Sequence, residues 1–172
     1  MNEVENNQRT RKHISKSIID YIINRKMAIS VLSTYIHLKE SIKRAANSEI
    51  EPSLKSNVAG LYLSLKIEGM HPDIHKFITS IKRYISEKRD ISEKIENIEE
   101  AISVEEILKM EILIIEESKF NFMYKCLFKQ LLGALILRGQ ADEFKKYQDI
   151  VIKKMREGSF EVSEYGLFLR SL

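Results

Sequence analysis

The sequence predicts an all-α fold, and three observations carry that expectation. Apolar residues recur at three- and four-residue spacing through most of the chain, whereas strict alternation is rare. Gly (6) and Pro (2) are too scarce for the many turns of an all-β plan. Hydrophobic residues make up 44% and charged residues 31% of the 172, a globular balance with enough apolar surface for a core.

The elements follow from that periodicity. Residues 1–10 are polar and read as a disordered lead. A first helix is expected over Lys12 to Ile23, where Ile14, Ile18 and Ile22 share a face widened by Ile19 and Ile23. Asn24-Arg25 interrupts it before a second helix over Lys26 to Ala46, with Ala28, Leu32, Tyr35 and Ile42 on one face. Asn47-Ser48 and Pro52 close that segment. A third helix spans Ser53 to Glu68 with Ser53 as N-cap. Leu54, Val58, Leu61 and Leu65 form one stripe, and Leu63 and Ile67 lie off it. A helix apolar on more than one side is central and covered by neighbours.

Pro72 is expected to open a fourth helix at its first position, where a missing N–H costs nothing. Ile74, Phe77, Ile78, Ile81 and Ile85 mark its buried face. EKRDISEKIENIEE (87–100) is a solvated, charge-rich connection. Ser103 and Glu106 have the spacing of a capping box for a fifth helix ending near Glu117. A sixth helix is expected over Tyr124 to Leu137 and a seventh over Ala141 to Glu157, stopped by Gly139 and Gly158. Ser159 to Leu172 reads as irregular or a short helix. LYLSLKIEGMHPDIHKF and LLGALILRGQADEFKKY both read helix, Gly, helix, but their spacing is twice the usual helical repeat, so the likeness is generic.

Composition limits the function classes. A single cysteine, Cys126, rules out an internal disulfide framework and fits a reducing compartment. MNEVENNQRT lacks the apolar region of a signal peptide, and no apolar run is long enough to span a membrane. A net charge of +3 does not by itself imply nucleic-acid binding. Lys16, Arg25, Lys26, Lys39, Lys43 and Arg44 give the first third a basic bias, read as solvated helix faces. There is no P-loop, GxGxxG, GxSxG or HExxH, so no catalytic set is assigned. His71 and His75 sit one turn apart but read as surface histidines with no cysteine nearby; no metal or cofactor is expected. Cys126 reads as a buried inert thiol inside the sixth helix, and Met70, Met110 and Met123 as gap-fillers.

Two charges interrupt apolar runs. Lys66 lies in LYLSLKIEG near the end of the third helix, and Glu111 lies in ILKMEILII. A charge among apolar residues is costly unless paired or hydrogen-bonded. The bland readings are a lysine stem that packs while its ammonium reaches water, and a glutamate on an outward face. If the two helices pack side by side, the charges pair at one rim of the core. They then offer a donor and an acceptor to a partner's exposed helix end.

LYLSLKIEG resembles the signature of the cyclin box, a small-apolar run leading into lysine, an aliphatic residue and glutamate. ILKMEILIIEESKFNF resembles the fifth helix of that box, and IEPSLKSNVAG resembles the approach to the third helix in transcriptional cyclins of the C and H type. The resemblance runs from Lys12 to Phe122. It extends more weakly through FKQLLGALILRGQADEF, similar to the linker, and KKYQDIVIKKMREGSFEVSEYGLFL, similar to the first helix of a second repeat. It implies a five-helix cyclin box over 11–122 with a central third helix. A linker and the remnant of a truncated second repeat would follow over 123–172. A non-catalytic subunit is implied, which docks on the C-helix of a cyclin-dependent protein kinase as a heterodimer and, like cyclins of the C and H type, acts in transcription and in the nucleus. Lys66 and Glu111 would hydrogen-bond the kinase backbone, and Leu63, Ile67, Ile115 and Phe120 would form the apolar groove. No membrane and no direct nucleic acid are expected as partners. Two other readings stand beside it: a cyclin-fold general transcription factor of the IIB kind, which wants two full repeats and a strong basic face, and a helical solenoid that binds a peptide.

Overall fold

The structure, a computed structural model, describes residues 3–44, 50–51, 53–88 and 98–172, with side chains from His13 onward except at positions 44, 99 and 100. All regular structure among them is helical. The helices are α1 (Glu3–Asn24), α2 (Ile29–Arg44), α3 (Leu54–Ile67), α4 (Ile74–Ser86), the short α5 (Ile98–Ala101), α6 (Val104–Glu117), α7 (Leu127–Leu137), α8 (Phe144–Glu157) and α9 (Val162–Ser171). A 3-10 turn, Ala141–Glu143, leads into α8. The closing signals Asn47-Ser48 and Pro52 lie outside the described residues, as does most of the 87–100 connection.

Helix α3 occupies the centre. Val58, Ala59, Leu61 and Ser64 are sealed from solvent, and Leu54, Ser56, Tyr62, Leu63 and Leu65 are buried around them. It packs on α1, α2 and α6. Tyr62 meets Phe77 of α4 with ring centroids 5.2 Å apart. The start of α3 is set locally: the Ser53 hydroxyl accepts the Ser56 N–H, and the Ser56 hydroxyl accepts the Ser53 N–H. These bonds satisfy two donors that would otherwise be orphaned at the helix start. Gly60 sits where α3 approaches the Tyr35 ring of α2; a methyl there would lie 3.8 Å from that ring.

Helices α8 and α9 cover the other side. α8 packs on α1 and α7, while α7 and α9 both touch α2. Arg156 of α8 pairs with Asp20 of α1 at 2.6 Å. The Arg138 guanidinium, just past α7, donates to the carbonyls of Leu169 (2.7 Å) and Arg170 (2.9 Å). It thereby caps the last turn of α9 with a positive charge, the sign favoured at a helix C-terminus. This explains why the final stretch, expected to be irregular or a short helix, forms the helix α9. Gly158 ends α8 at φ 70°, a conformation glycine adopts without steric penalty.

Several expected boundaries move. The supposed disordered lead is helical from Glu3, because no Gly or Pro interrupts the segment and elongation of an existing helix is far easier than nucleation. Pro72 does not open α4: Asp73 is its N-cap, with its carboxylate accepting the Lys76 N–H at 2.9 Å. Helix α7 begins at Leu127, so Cys126 is its half-buried N-cap residue and not an interior one. Ser103 caps α6 through the Glu106 N–H, but the Glu106 carboxylate does not complete a capping box; it turns to Lys55.

Candidate partner-docking site

Lys66 lies in the last turn of α3, where a cation is favoured by the helix dipole. Its ammonium sits 4.9 Å from the centroid of the Tyr62 ring, one turn earlier. Glu111 lies on the inner face of α6, flanked by the sealed Ile107 and Ile114. The two side chains form an ion pair. Glu111 therefore faces inward, and the lysine reaches it from the rim: the Glu111 side chain is 5% exposed and that of Lys66 33%. Glu111 Oε1, the atom that meets the Lys66 ammonium, is itself sealed from solvent.

A second clasp joins the same helices. Lys55, near the start of α3, hydrogen-bonds Glu106, in the first turn of α6. The bond and charge of Lys55 hold the Glu106 carboxyl below the usual carboxylate range, with Lys109 adding to the effect. Sequence reasoning read Glu106 only as a cap and passed over Lys55. The remaining signal was a lysine in the first turn of the central helix.

The outward face of α6 mixes apolar residues with the charged Glu105, Lys109 and Glu116. Leu108, Ile112 and Leu113 are exposed, with Ile112 at 57%. Beyond the helix, Lys119 and Phe120 both take left-handed backbone, at φ 51° and 56°. That turn leaves the Phe120 ring 72% exposed. Two large side chains in succession in this region are disfavoured by sterics, so the turn displays the ring at a conformational cost. Leu108, Ile112 and Leu113 were missed at the sequence level, because apolar residues on both sides of α6 read as burial on both sides.

The six residues expected to bind the kinase divide. Lys66 and Glu111 come together, Ile67 and Ile115 are half-buried, and Phe120 is exposed. Leu63 is a correction: at 4% exposure it belongs to the core, because α3 is enclosed on the side that carries it. His71 and His75 are exposed, and among the described residues no three His, Cys, Asp or Glu side chains cluster to hold a metal ion. Met70 and Met110 pack against the core, whereas Met123 is 94% exposed and fills no gap. No helix among the described residues is long and apolar enough to cross a membrane.

Compared with protein-family models, with curated proteins and with solved structures, the chain matches none of them.

Proposed function

We propose that this chain is a cyclin-type regulatory subunit that docks on the C-helix of a cyclin-dependent protein kinase, forms a heterodimer with it and activates it. The observation that carries the reading is the Lys66–Glu111 pair at the rim of the central helix, beside the exposed face of α6 and the Phe120 ring. An ammonium one-third exposed, held in place by the buried Glu111 carboxylate, supplies a donor. It suits the unpaired backbone carbonyls at the C-terminal end of a partner helix. Leu108, Ile112 and Phe120 supply apolar area for its side chains. Helices α1, α2 and α6 pack on α3, and Phe77 of α4 meets Tyr62 of α3; in this reading these five helices form the box, and α7 to α9 the linker and partial second repeat.

The mechanism is allosteric. Docking holds the kinase C-helix inward, so that the kinase's own glutamate pairs its ATP-positioning lysine. This chain contributes no catalytic group. On the sequence resemblance to C- and H-type cyclins, the complex would act in transcription and in the nucleus.

The test is a binding and activation assay with purified cyclin-dependent kinase domains. The wild-type chain should bind one of them and raise its activity. Ile112→Asp and Phe120→Ser change exposed side chains, so each should weaken binding at least tenfold with circular dichroism unchanged. Failure of the wild-type chain to bind any such kinase, or full binding by both variants, overturns the proposal.

A further inference from the structure

A cavity of about 490 Å³ lies on another part of the molecule, between α2, the first half of α3 and the junction of α8 with α9. Asn57 and Gly60 of α3 line it, whereas the docking pair uses Lys66 at the far end of that helix. Its volume falls in the range of small-molecule sites. Ile36, Ile42, Ile50, Met155 and Phe160 supply apolar wall. Gly60 contributes no side chain to the lining, and the Tyr35 ring packs close to its backbone.

The polar groups gather around Lys39. Its ammonium donates to the Ser15 hydroxyl at 2.5 Å. Beside them the Tyr35 hydroxyl donates to Asn57 Oδ1 at 2.5 Å. The other lining cations are matched with carboxylates: Lys43 with Glu161 at 3.6 Å, and Arg156 with Asp20 at 2.6 Å. Lys39 hydrogen-bonds a neutral hydroxyl instead, and an ammonium has three N–H donors. Burial pushes the lysine below its usual range, with Glu40 opposing that shift and Lys43 adding to it. An anion brought into the cavity would meet a cation that water solvates poorly, where Coulomb attraction is strong. One such cation, with Glu40 and Glu161 also on the lining, favours a single negative charge over a phosphate dianion.

We infer that this cavity is a binding site for a small amphipathic carboxylate, its head on Lys39 and Ser15 and its apolar body along Ile36, Ile42, Met155 and Phe160. The site is independent of kinase docking, and its occupancy would be read on the free chain.

The experiment is titration calorimetry of the purified chain with decanoate, decanol and decyl phosphate, mapped by amide chemical shifts. Decanoate should bind, with the largest shifts in α2 and at Gly60. Decanol should bind at least tenfold more weakly, and decyl phosphate more weakly than decanoate. Lys39→Met should cost decanoate at least tenfold and leave decanol unchanged. Ile42→Trp, a half-buried wall residue, should abolish binding of both by filling the cavity. Equal affinity of the wild-type chain for decanoate and decanol, tighter binding of the phosphate, or no binding at all overturns the inference without reference to any variant.

Discussion

The Leu127 N–H at the start of α7 donates to the hydroxyl of Ser33, on α2 and 94 positions earlier, at 2.9 Å. Cys126, the N-cap residue of α7, provides no side-chain hydrogen bond. Ser33 therefore supplies from another helix what a serine or aspartate at the cap supplies locally. Tyr165 of α9 completes the junction by donating to the Leu127 carbonyl at 2.8 Å.

Ser33→Ala leaves a buried N–H without an acceptor, since Ser33 is sealed from solvent. The expected loss is about 1–3 kcal/mol of unfolding free energy, read from the urea midpoint. Amide exchange at Leu127 should accelerate more than exchange in α3. A wild-type midpoint in this variant would show that the bond contributes nothing.

The Lys66–Glu111 pair predicts strongly non-additive energetics. Lys66→Met strands a carboxylate that is 5% exposed. Breaking such a pair costs about 3 kcal/mol, the lower end of the range because Lys66 is partly solvated. Lys66→Met with Glu111→Leu should recover most of that loss, as replacing both charges leaves none unpaired. A double variant as unstable as the single one would show that the charges are not coupled.

Tyr35 and Tyr165 are both shifted upward by burial; a hydrogen bond with Ser15 opposes the shift at Tyr35, and Cys126 adds to it at Tyr165. A phenol whose folded pKa exceeds its unfolded value stabilises the fold fully below the unfolded value. That stability is lost as pH rises through the folded pKa. Unfolding free energy from these groups should be flat to about pH 9 and fall above about pH 10. Tyr35→Phe with Tyr165→Phe should flatten the alkaline decline relative to wild type; an unchanged slope would count against the assignment.

Asp73 has the opposite sign. The Lys76 N–H, with lesser help from His75 and Lys76 charges, lowers its pKa beneath the reference value of 3.8. Its contribution is present above that reference and disappears as pH falls through the folded value. Asp73→Ala should speed amide exchange at Lys76 at neutral pH, and Asp73→Asn should restore much of the protection because asparagine also caps. Equal exchange in all three proteins would remove the cap from the account.

What the sequence conveyed depends on how local the cause was. The Ser53 cap and the centrality of α3 were legible, because a cap needs only its own helix and a helix apolar on more than one side has to be covered by neighbours. Lys66 and Glu111 were legible as a pair because each interrupts an apolar run. Leu63 was misplaced because periodicity cannot say which neighbour covers which face. Lys39 passed for a solvated surface charge: on a helix with mixed faces, a half-buried cation and an exposed one look alike until Ser15 is brought beside it. The Ser33–Leu127 and Arg138–Leu169 bonds join distant segments and leave no pattern along the chain.

The left-handed setting of Phe120 has a practical consequence for engineering. Glycine or asparagine is more comfortable there by about 1 kcal/mol, and neither places a large ring in water. A selection for heat resistance alone would thus favour their appearance at position 120. The same change would remove the aromatic anchor proposed for the kinase, so thermal hardiness and partner affinity would pull this one position in opposite directions.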